Sequence, residues 1–335
     1  MRKILIIILF VIITLSYGDQ KYKIKFATLA TRGSTWLNVM TELNNAIKQA
    51  TSNNVRFKIY PGGVSGEELD VLRKIRAGQL DAGGFTGVAL GEIVSEVRIF
   101  DSPFLFKNYE EVDYIHELLF DEFSKKFEQN GFILLGWTEV GFVYIFTKKK
   151  IEKIDDLKGV KMWMWEGDKV AEATFNALGF KPIPLAVTDV ITALQTGMIE
   201  GLYTSPLGAI ALQWNTQVKY MLKIPLANAI GAIVVSKNKW DKLPQEYQDT
   251  IRTLSKQYMK KLTKLSRKDN QKSIEILKQN GIIVTELKDK TELDKLNKAG
   301  IKARMDMAVK YGLFPVQLLN KVEKSLSDFR NEHNK

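Results

Sequence analysis

Hydrophobic residues near the N-terminus alternate between strand and helix patterns. Residues 23–27 and 55–60 alternate like strands. Between them lie five apolar residues at helical spacing: Trp36, Val39, Met40, Leu43 and Ile47. Ser65, followed by Glu68, predicts a capping box that opens a second helix, and Gly78 ends that helix before a further strand. This order of strand, helix and strand predicts a parallel crossover unit.

A later segment repeats the character of the first junction between helix and strand. Residues 194–201 match residues 75–82, since each has a helix end, a glycine, an apolar step, an acid and a small residue. Each segment then runs into an aromatic residue followed by threonine: Phe85 and Thr86, Tyr203 and Thr204. Two lobes built on one plan would explain the repeat, and coincidence between two ordinary crossover units would also produce it. Because ligands of parallel α/β sheets bind beyond the carboxyl ends of strands, both pairs fall at candidate ligand positions.

A long amphipathic segment opens at Pro244 and ends near Asn280 and Gly281. At 1.5 Å per residue, such a helix would be roughly 55 Å long, more than one lobe can use, so it should brace two lobes. Its polar face carries a run of lysines and one arginine, which suits a solvated surface by default and a docking surface as the alternative. The predicted fold class is α/β with two lobes and one long helix spanning both.

The first residues have the pattern of a secretory signal peptide. Arg2 and Lys3 precede an apolar run at residues 4–15, and small residues follow it before position 18. This run is too short for a comfortable membrane span, which needs about 20 apolar residues. We therefore expect residues 1–18 to be cleaved on export and the mature protein to reside in the periplasm without spanning the membrane.

The net charge of +11 becomes +9 when Arg2 and Lys3 leave with the signal peptide. The cations are spread along the chain without a recognisable nucleic-acid module, so nucleic acid is not an expected partner. An excess of positive charge suits an anionic ligand or an acidic face of a membrane partner. A host with a lysine-rich proteome would explain the excess of positive charge equally well.

Composition also limits the chemistry. The absence of cysteine excludes disulfides, thiolate metal sites and cysteine nucleophiles. The two histidines, His116 and His333, lie outside any metal-binding pattern, and Glu166 with Asp168 supplies too few oxygens for calcium. No metal or cofactor is predicted. No G-x-S-x-G elbow and no histidine partner for a serine nucleophile are present, so an enzyme is not expected.

An ordered set of motifs along the chain resembles those of the DctP family, the extracytoplasmic solute receptors of tripartite ATP-independent periplasmic (TRAP) transporters. The motifs are Tyr60-Pro61-Gly62-Gly63 with Gly66, Ile75-Arg76-Ala77-Gly78-Gln79-Leu80-Asp81, Pro103-Phe104-Leu105-Phe106, and the segments at 156–161, 184–189 and 193–201. The resemblance implies a two-lobed periplasmic-binding-protein fold, type II-like, that closes over a small-molecule ligand. It also implies delivery of the ligand to the membrane subunits of a sodium-coupled TRAP permease.

The resemblance and the crossover pattern together predict discontinuous lobes. Lobe I is expected to take residues 19–147 plus about 232–265, and lobe II residues 148–231 plus about 266–322. Residues 323–335 are expected to form a polar tail.

One position departs from the family pattern. Members that bind organic acids typically carry an arginine two residues beyond the Lys161 position, where its planar fork pairs with a carboxylate. Here that residue is Trp163, which offers one donor, a flat apolar surface and no charge. Trp163 and Trp165 share one strand face, so one or both are either core residues or an aromatic wall of the cleft. We favour the cleft for Trp163 and leave Trp165 open; the ligand is then an organic acid or a more apolar molecule.

The remaining candidate ligand residues lie at loops and strand ends. Arg32 is a replacement cation or a surface residue, and Trp137 and Trp214 either line the cleft or pack in the core. The other candidates lie after strands, near helix N-termini or at the carboxyl ends of strands: Ser34, Thr35, Trp36, Thr86, Tyr203, Thr204 and Ser205.

Two alternatives to a transport receptor remain open on sequence grounds. A ligand-presenting periplasmic sensor subunit would keep the fold, and an adjacent sensor-kinase gene would favour it over adjacent permease genes. A secreted hydrolase with two facing carboxylates has no positive support, and turnover of a candidate ligand would favour it.

Overall fold

The computed structural model describes residues 21–333, so the predicted signal peptide at residues 1–18 lies outside the described residues. The strands are β1 Tyr22–Ala27, β2 Val55–Tyr60, β3 Ala82–Thr86, β4 Phe132–Thr147, β5 Trp163–Trp165, β6 Ile183–Leu185, β7 Gly201–Thr204, β8 Tyr220–Ser236 and β9 Ile283–Thr285. The α-helices are α1 Thr35–Ala50, α2 Glu68–Arg76, α3 Gly87–Gly91, α4 Tyr109–Gln129, α5 Lys169–Ala177, α6 Val190–Thr196, α7 Pro206–Ala211, α8 Lys237–Trp240, α9 Gln245–Gln279, α10 Lys290–Val309 and α11 Val316–His333.

The first crossover unit forms where the hydrophobic pattern predicts it. Ser34 caps α1 by accepting a hydrogen bond from the amide of Leu37, and the apolar stripe of α1 is buried. Strand β1 pairs in parallel with both β2 and β3. The capping box predicted for Ser65 and Glu68 is wrong, because the N-cap of α2 is Glu67, whose amide donates to Asp70 at 3.2 Å.

Two long strands carry the chain between the lobes. The main sheet has the order β2-β1-β3-β8-β4-β7, with β9 also paired to β8. Strands β4 and β8 are antiparallel over 16 and 17 residues, and their register shifts at three places along the ladder. Shifts of this kind are places where a strand can bend. The small β5-β6 pair joins the main sheet through a bridge between Met162 and Gly201.

The hydrophobic core is divided in the same way. In lobe I, Leu134 and Leu135 of β4 point to opposite faces of the sheet and enter two different clusters. In lobe II, Ile145 and Phe146 do the same. Adjacent Phe142 and Val143 belong to clusters of different lobes. The core therefore changes lobe along β4 about five residues earlier than the predicted boundary after residue 147.

Helix α9 confirms the predicted brace. It runs for 35 residues without glycine or proline, from the N-cap Pro244 to the C-cap Asn280. Leu262 packs in lobe I and Leu277 packs in lobe II. The helix joins both lobes along one rigid element.

The C-terminal segment differs from its prediction. Residues 323–333 continue helix α11 instead of forming a polar tail. Leu318 and Leu326 of this helix are buried in lobe I, although residues up to 322 were assigned to lobe II. The ring of Phe329 stacks on Tyr114 at 4.7 Å, and Arg330 pairs with the buried Glu111 at 2.7 Å. Partners distant in the sequence therefore fix this helix on α4.

Candidate functional site

A cavity of about 340 Å³ lies between the two lobes. Lobe I contributes the start of α2 and part of α3, and lobe II contributes the end of β5 and the turns that follow. The lining residues are Glu67, Glu68, Leu69, Asp70, Arg73, Val88, Trp165, Glu166, Gly167 and Ala186. A second hollow of about 280 Å³ lies elsewhere, against β1, β2 and α1 of lobe I, and is lined largely by lysines. Since the first cavity is bounded by both lobes, it is the candidate ligand site.

Trp163 lies in the core and not on the cavity wall. Its side chain is 3% exposed, and its indole Nε1 donates to the carbonyl oxygen of Leu185 at 3.0 Å. It stacks on Tyr203, with ring centroids 5.2 Å apart, and meets Trp214 edge-on at the same separation. Trp214 is equally buried. These contacts correct the predicted cleft position of Trp163 and settle the open position of Trp214 in favour of the core.

Trp165 provides the aromatic wall instead. It ends the three-residue strand β5, is half-buried and lines the cavity. Trp163 and Trp165 share one strand face, as predicted, but Trp163 lies deeper beneath Tyr203 and Trp214. Trp163 is therefore a core residue and Trp165 a cavity residue, although both lie on the same face of β5.

A buried ion cluster joins the lobes beside the cavity. Arg98 of lobe I donates to Asp168 of lobe II at 2.6 Å and lies 3.1 Å from Asp101 of its own lobe. Tyr203 donates to the other oxygen of Asp168 at 2.7 Å. Asp168 also caps α5 through the amides of two residues. Asp168, a weak cation-site candidate in the sequence, therefore holds an arginine from the opposite lobe.

Burial sets the electrostatics of this cluster. It raises the pKa of Asp101 to about 6, although the charge of Arg98 opposes the rise. The amide of Ile230 donates to Asp101 at 2.8 Å. Gly87 is required beside this carboxylate, since a Cβ there would lie 1.8 Å from its Oδ2. The backbone of α3 and the ion cluster are packed too closely for any larger residue.

Glu68 is a second buried acid, at the cavity edge. Its carboxylate accepts hydrogen bonds from the amide and the hydroxyl of Thr86, both at 2.9 Å. Burial raises the pKa of Glu68 to about 7, and the bonds from Thr86 limit the rise. Thr86, a predicted ligand residue, is thereby engaged with Glu68.

Replacing Glu68 with glutamine is expected to stabilise the protein only at higher pH. The folded-state pKa is raised from 4.5 to about 7, so the folded form holds the proton more tightly and its stability falls as pH rises across that window. Glutamine mimics the neutral acid. We expect the gain in unfolding free energy to be near zero at pH 4 and about 3 kcal/mol at pH 8, measured by urea denaturation. The exposed Glu117→Gln serves as control, and an equal gain at both pH values would contradict the assignment.

The other predicted residues do not line the cavity. Arg32 is exposed in its loop, and the hydroxyl of Thr35 donates to Asp269 of α9. Trp36 packs on Phe26, while Trp137 sits among the aromatic residues of lobe I. Ser34 and Ser205 cap helices α1 and α7, and Thr204 ends β7. These residues form structure around the site but do not line it.

Sequence reasoning missed the acids of α2. Glu67 and Glu68 follow directly on the turn after β2, at the carboxyl end of a parallel strand. That position alone favours a ligand site.

Two lobes are joined by crossing strands, with a cavity between them, an arrangement that suits closure on a ligand. The family model of DctP, described as bacterial extracellular solute-binding protein, family 7, matches residues 26–305. The chain therefore belongs to the DctP family, as its motifs predicted, and this is a family of binding receptors and not of enzymes.

Known proteins agree with this assignment. The chain is 26% identical over 236 residues to the C4-dicarboxylate-binding periplasmic protein DctP of Rhodobacter capsulatus, covering 69% of this chain and 70% of that protein. A TRAP periplasmic solute-binding protein from Desulfovibrio salexigens with bound orotic acid has a TM-score of 0.85 at 20% identity, covering 92% and 99% of the two chains. One from Pseudomonas putida with bound D-glucuronate has a TM-score of 0.80 at 24% identity, covering 90% and 96%. The two solved structures support the fold.

No helix within residues 21–333 is both long and apolar enough to cross a membrane.

Proposed function

We propose that this protein is an exported receptor that binds a small organic solute in the cavity between its lobes and delivers it to a TRAP permease in the membrane. The observation that carries the proposal is the interlobe cavity, walled by Trp165 on one side and by α2 on the other. Its volume of about 340 Å³ falls in the range of small-molecule sites, roughly 300–1,000 Å³.

The contacts across the cavity support a mechanism of lobe closure. Arg98 and Asp168 form their ion pair across the lobes, with both side chains buried. Separating the lobes would expose both charges to water and open the cavity. Strands β4 and β8 can bend at their register shifts, so they are the natural hinge. Ligand binding and the ion pair would then favour the same closed form.

Family membership and the signal-peptide pattern support delivery to a permease and a location in the periplasm. The relatives include proteins described as periplasmic, and one of them, from Rhodobacter capsulatus, is described as binding C4-dicarboxylates. The exposed lysines of α9, such as Lys260 and Lys264, supply a basic surface that a docking partner could use. Uptake of the solute by cells that carry the permease should require this protein.

Replacing Trp165 with alanine is expected to weaken solute binding at least tenfold, which corresponds to about 1.4 kcal/mol. The indole forms one wall of the cavity, and its removal takes apolar contact from the bound solute. The solute that co-purifies with the protein is identified by mass spectrometry, and its affinity is then measured by calorimetry. Trp36→Ala is the matched control, since Trp36 is also half-buried but does not line the cavity. Equal affinities in the two variants would contradict the proposed site.

A further inference from the structure

The interlobe cavity carries an excess of negative charge. Four acids line it: Glu67, Glu68, Asp70 and Glu166. Among the described residues of the lining, Arg73 is the only cation, and it pairs with Asp70. Asp189 of lobe II lies close enough to Glu67 to affect its pKa. The lining therefore has more carboxylates than it can neutralise by itself.

The buried arginine of the interlobe cluster does not change this balance. Arg98 lies outside the lining and already contacts two aspartates, Asp168 at 2.6 Å and Asp101 at 3.1 Å. Its single positive charge is opposed by those two neighbours. Family members that bind organic acids typically carry arginine at the position of Trp163. In this chain Trp163 is buried and donates to a backbone carbonyl. Neither residue is free to pair with a ligand carboxylate.

Glu67 is the acid of the lining on which a cationic ligand would have the largest stabilising effect. Both of its carboxylate oxygens are shielded from solvent, the backbone amides of Asp70 and Thr188 are directed at them, and no cation among residues 21–333 pairs with them. Burial raises its pKa against the lowering effect of a hydrogen bond from the amide of Thr188, and the charges of Asp70 and Asp189 add to the rise. A shielded carboxylate without a counter-charge is costly, so a hydrogen-bond donor that carries positive charge would stabilise it.

Trp165 supplies the second half of such a site. Its half-buried ring lies across the same cavity from α2. An indole face attracts a cation within about 6 Å of its centre and also packs on apolar groups. The cavity thus offers a carboxylate for a charged nitrogen and an aromatic surface for the carbon skeleton next to it.

We infer that the solute of this receptor is an organic cation, a small amine or ammonium compound whose nitrogen lies at Glu67 and whose carbon skeleton packs on Trp165. This inference rests on the proposed function and names the ligand class of the same site. It separates this protein from the relatives and neighbours described as binding acids.

The test uses pairs of compounds that share a skeleton and differ in charge. Phenethylamine is compared with phenylacetate, and putrescine with succinate, by isothermal titration calorimetry on the mature protein. We expect at least one amine to bind tenfold or more tightly than its matching acid. Tighter binding of the acid in both pairs overturns the inference and leaves the proposed function standing, since a solute still binds. Failure of all four probes also overturns it for these skeletons.

Glu67→Gln tests the position of the charge. It keeps the size of the side chain and removes its charge, so the affinity for the preferred amine should fall at least tenfold. The control is Glu323→Gln, on the distant helix α11, which should stay within twofold of the unmodified protein. Thermal unfolding checks that both variants fold. Unchanged amine affinity in a folded Glu67→Gln protein overturns the assignment, whereas the result for Trp165→Ala decides separately whether the cavity is the solute site.

Discussion

Replacing Arg98 with methionine is expected to lower the free energy of unfolding by about 3–5 kcal/mol at pH 8. Arg98 is buried between Asp101 and Asp168, and methionine would leave two carboxylates in the interior without their counter-charge. The loss should shrink at pH 5, because burial already raises the pKa of Asp101 to about 6 and its proton then removes the unpaired charge. Urea denaturation followed by circular dichroism measures both values.

The matched control is Lys223→Met. Lys223 pairs with Glu286 at 3.0 Å, but both side chains are about half exposed. Such a surface pair contributes about 0–1 kcal/mol. If Arg98→Met costs no more than this control, Arg98 and Asp168 are not paired across the lobes in solution.

Replacing Trp163 with alanine is expected to destabilise the protein by about 3–5 kcal/mol. The side chain is buried, and its removal leaves a cavity beneath Tyr203 and Trp214 and removes one of the hydrogen bonds to the carbonyl oxygen of Leu185. Trp163→Phe should cost less, since it keeps most of the ring. Denaturation curves of the two variants give the comparison.

The two Trp163 variants also show whether this side chain belongs to the core or to the cleft. Trp163→Phe should bind solute with nearly unchanged affinity, because its side chain does not line the cavity. A protein with Trp163→Ala that kept full stability and lost solute binding would place Trp163 on the cleft surface, as its position in the sequence suggested.

Local pattern was enough to predict the elements with strong periodicity. The ends of α9 follow from Pro244 and from Asn280 with Gly281, since no residue between them interrupts the helix. The repeated junctions also have a physical basis. Gly78 and Gly197 both take left-handed φ values, +73° and +74°, that end helices just before strands β3 and β7.

The residues of the candidate site could not all be predicted, because their positions are set by tertiary contacts that the sequence does not show. Alternation places Trp163 and Trp165 on one face but cannot tell which of them Tyr203 and Trp214 cover. The pair of Arg98 and Asp168 joins residues 70 positions apart. Such pairings arise only when the lobes meet.

The helix start at α2 shows the same limit at short range. Ser65 with Glu68, and Glu67 with Asp70, both fit an acid three residues after a capping position. The structure uses the second arrangement, because Glu68 turns inward to the amide and hydroxyl of Thr86. A tertiary partner of Glu68 therefore overrode the stronger local pattern, that of Ser65 and Glu68.

A crystal structure of the protein with its co-purified solute tests the central claim most directly. Electron density for the solute should lie between the indole of Trp165 and the carboxylate of Glu67, with both lobes in contact with it. Density outside this space, for example beside Trp137 or in the lysine-lined hollow at Lys48, would contradict the account.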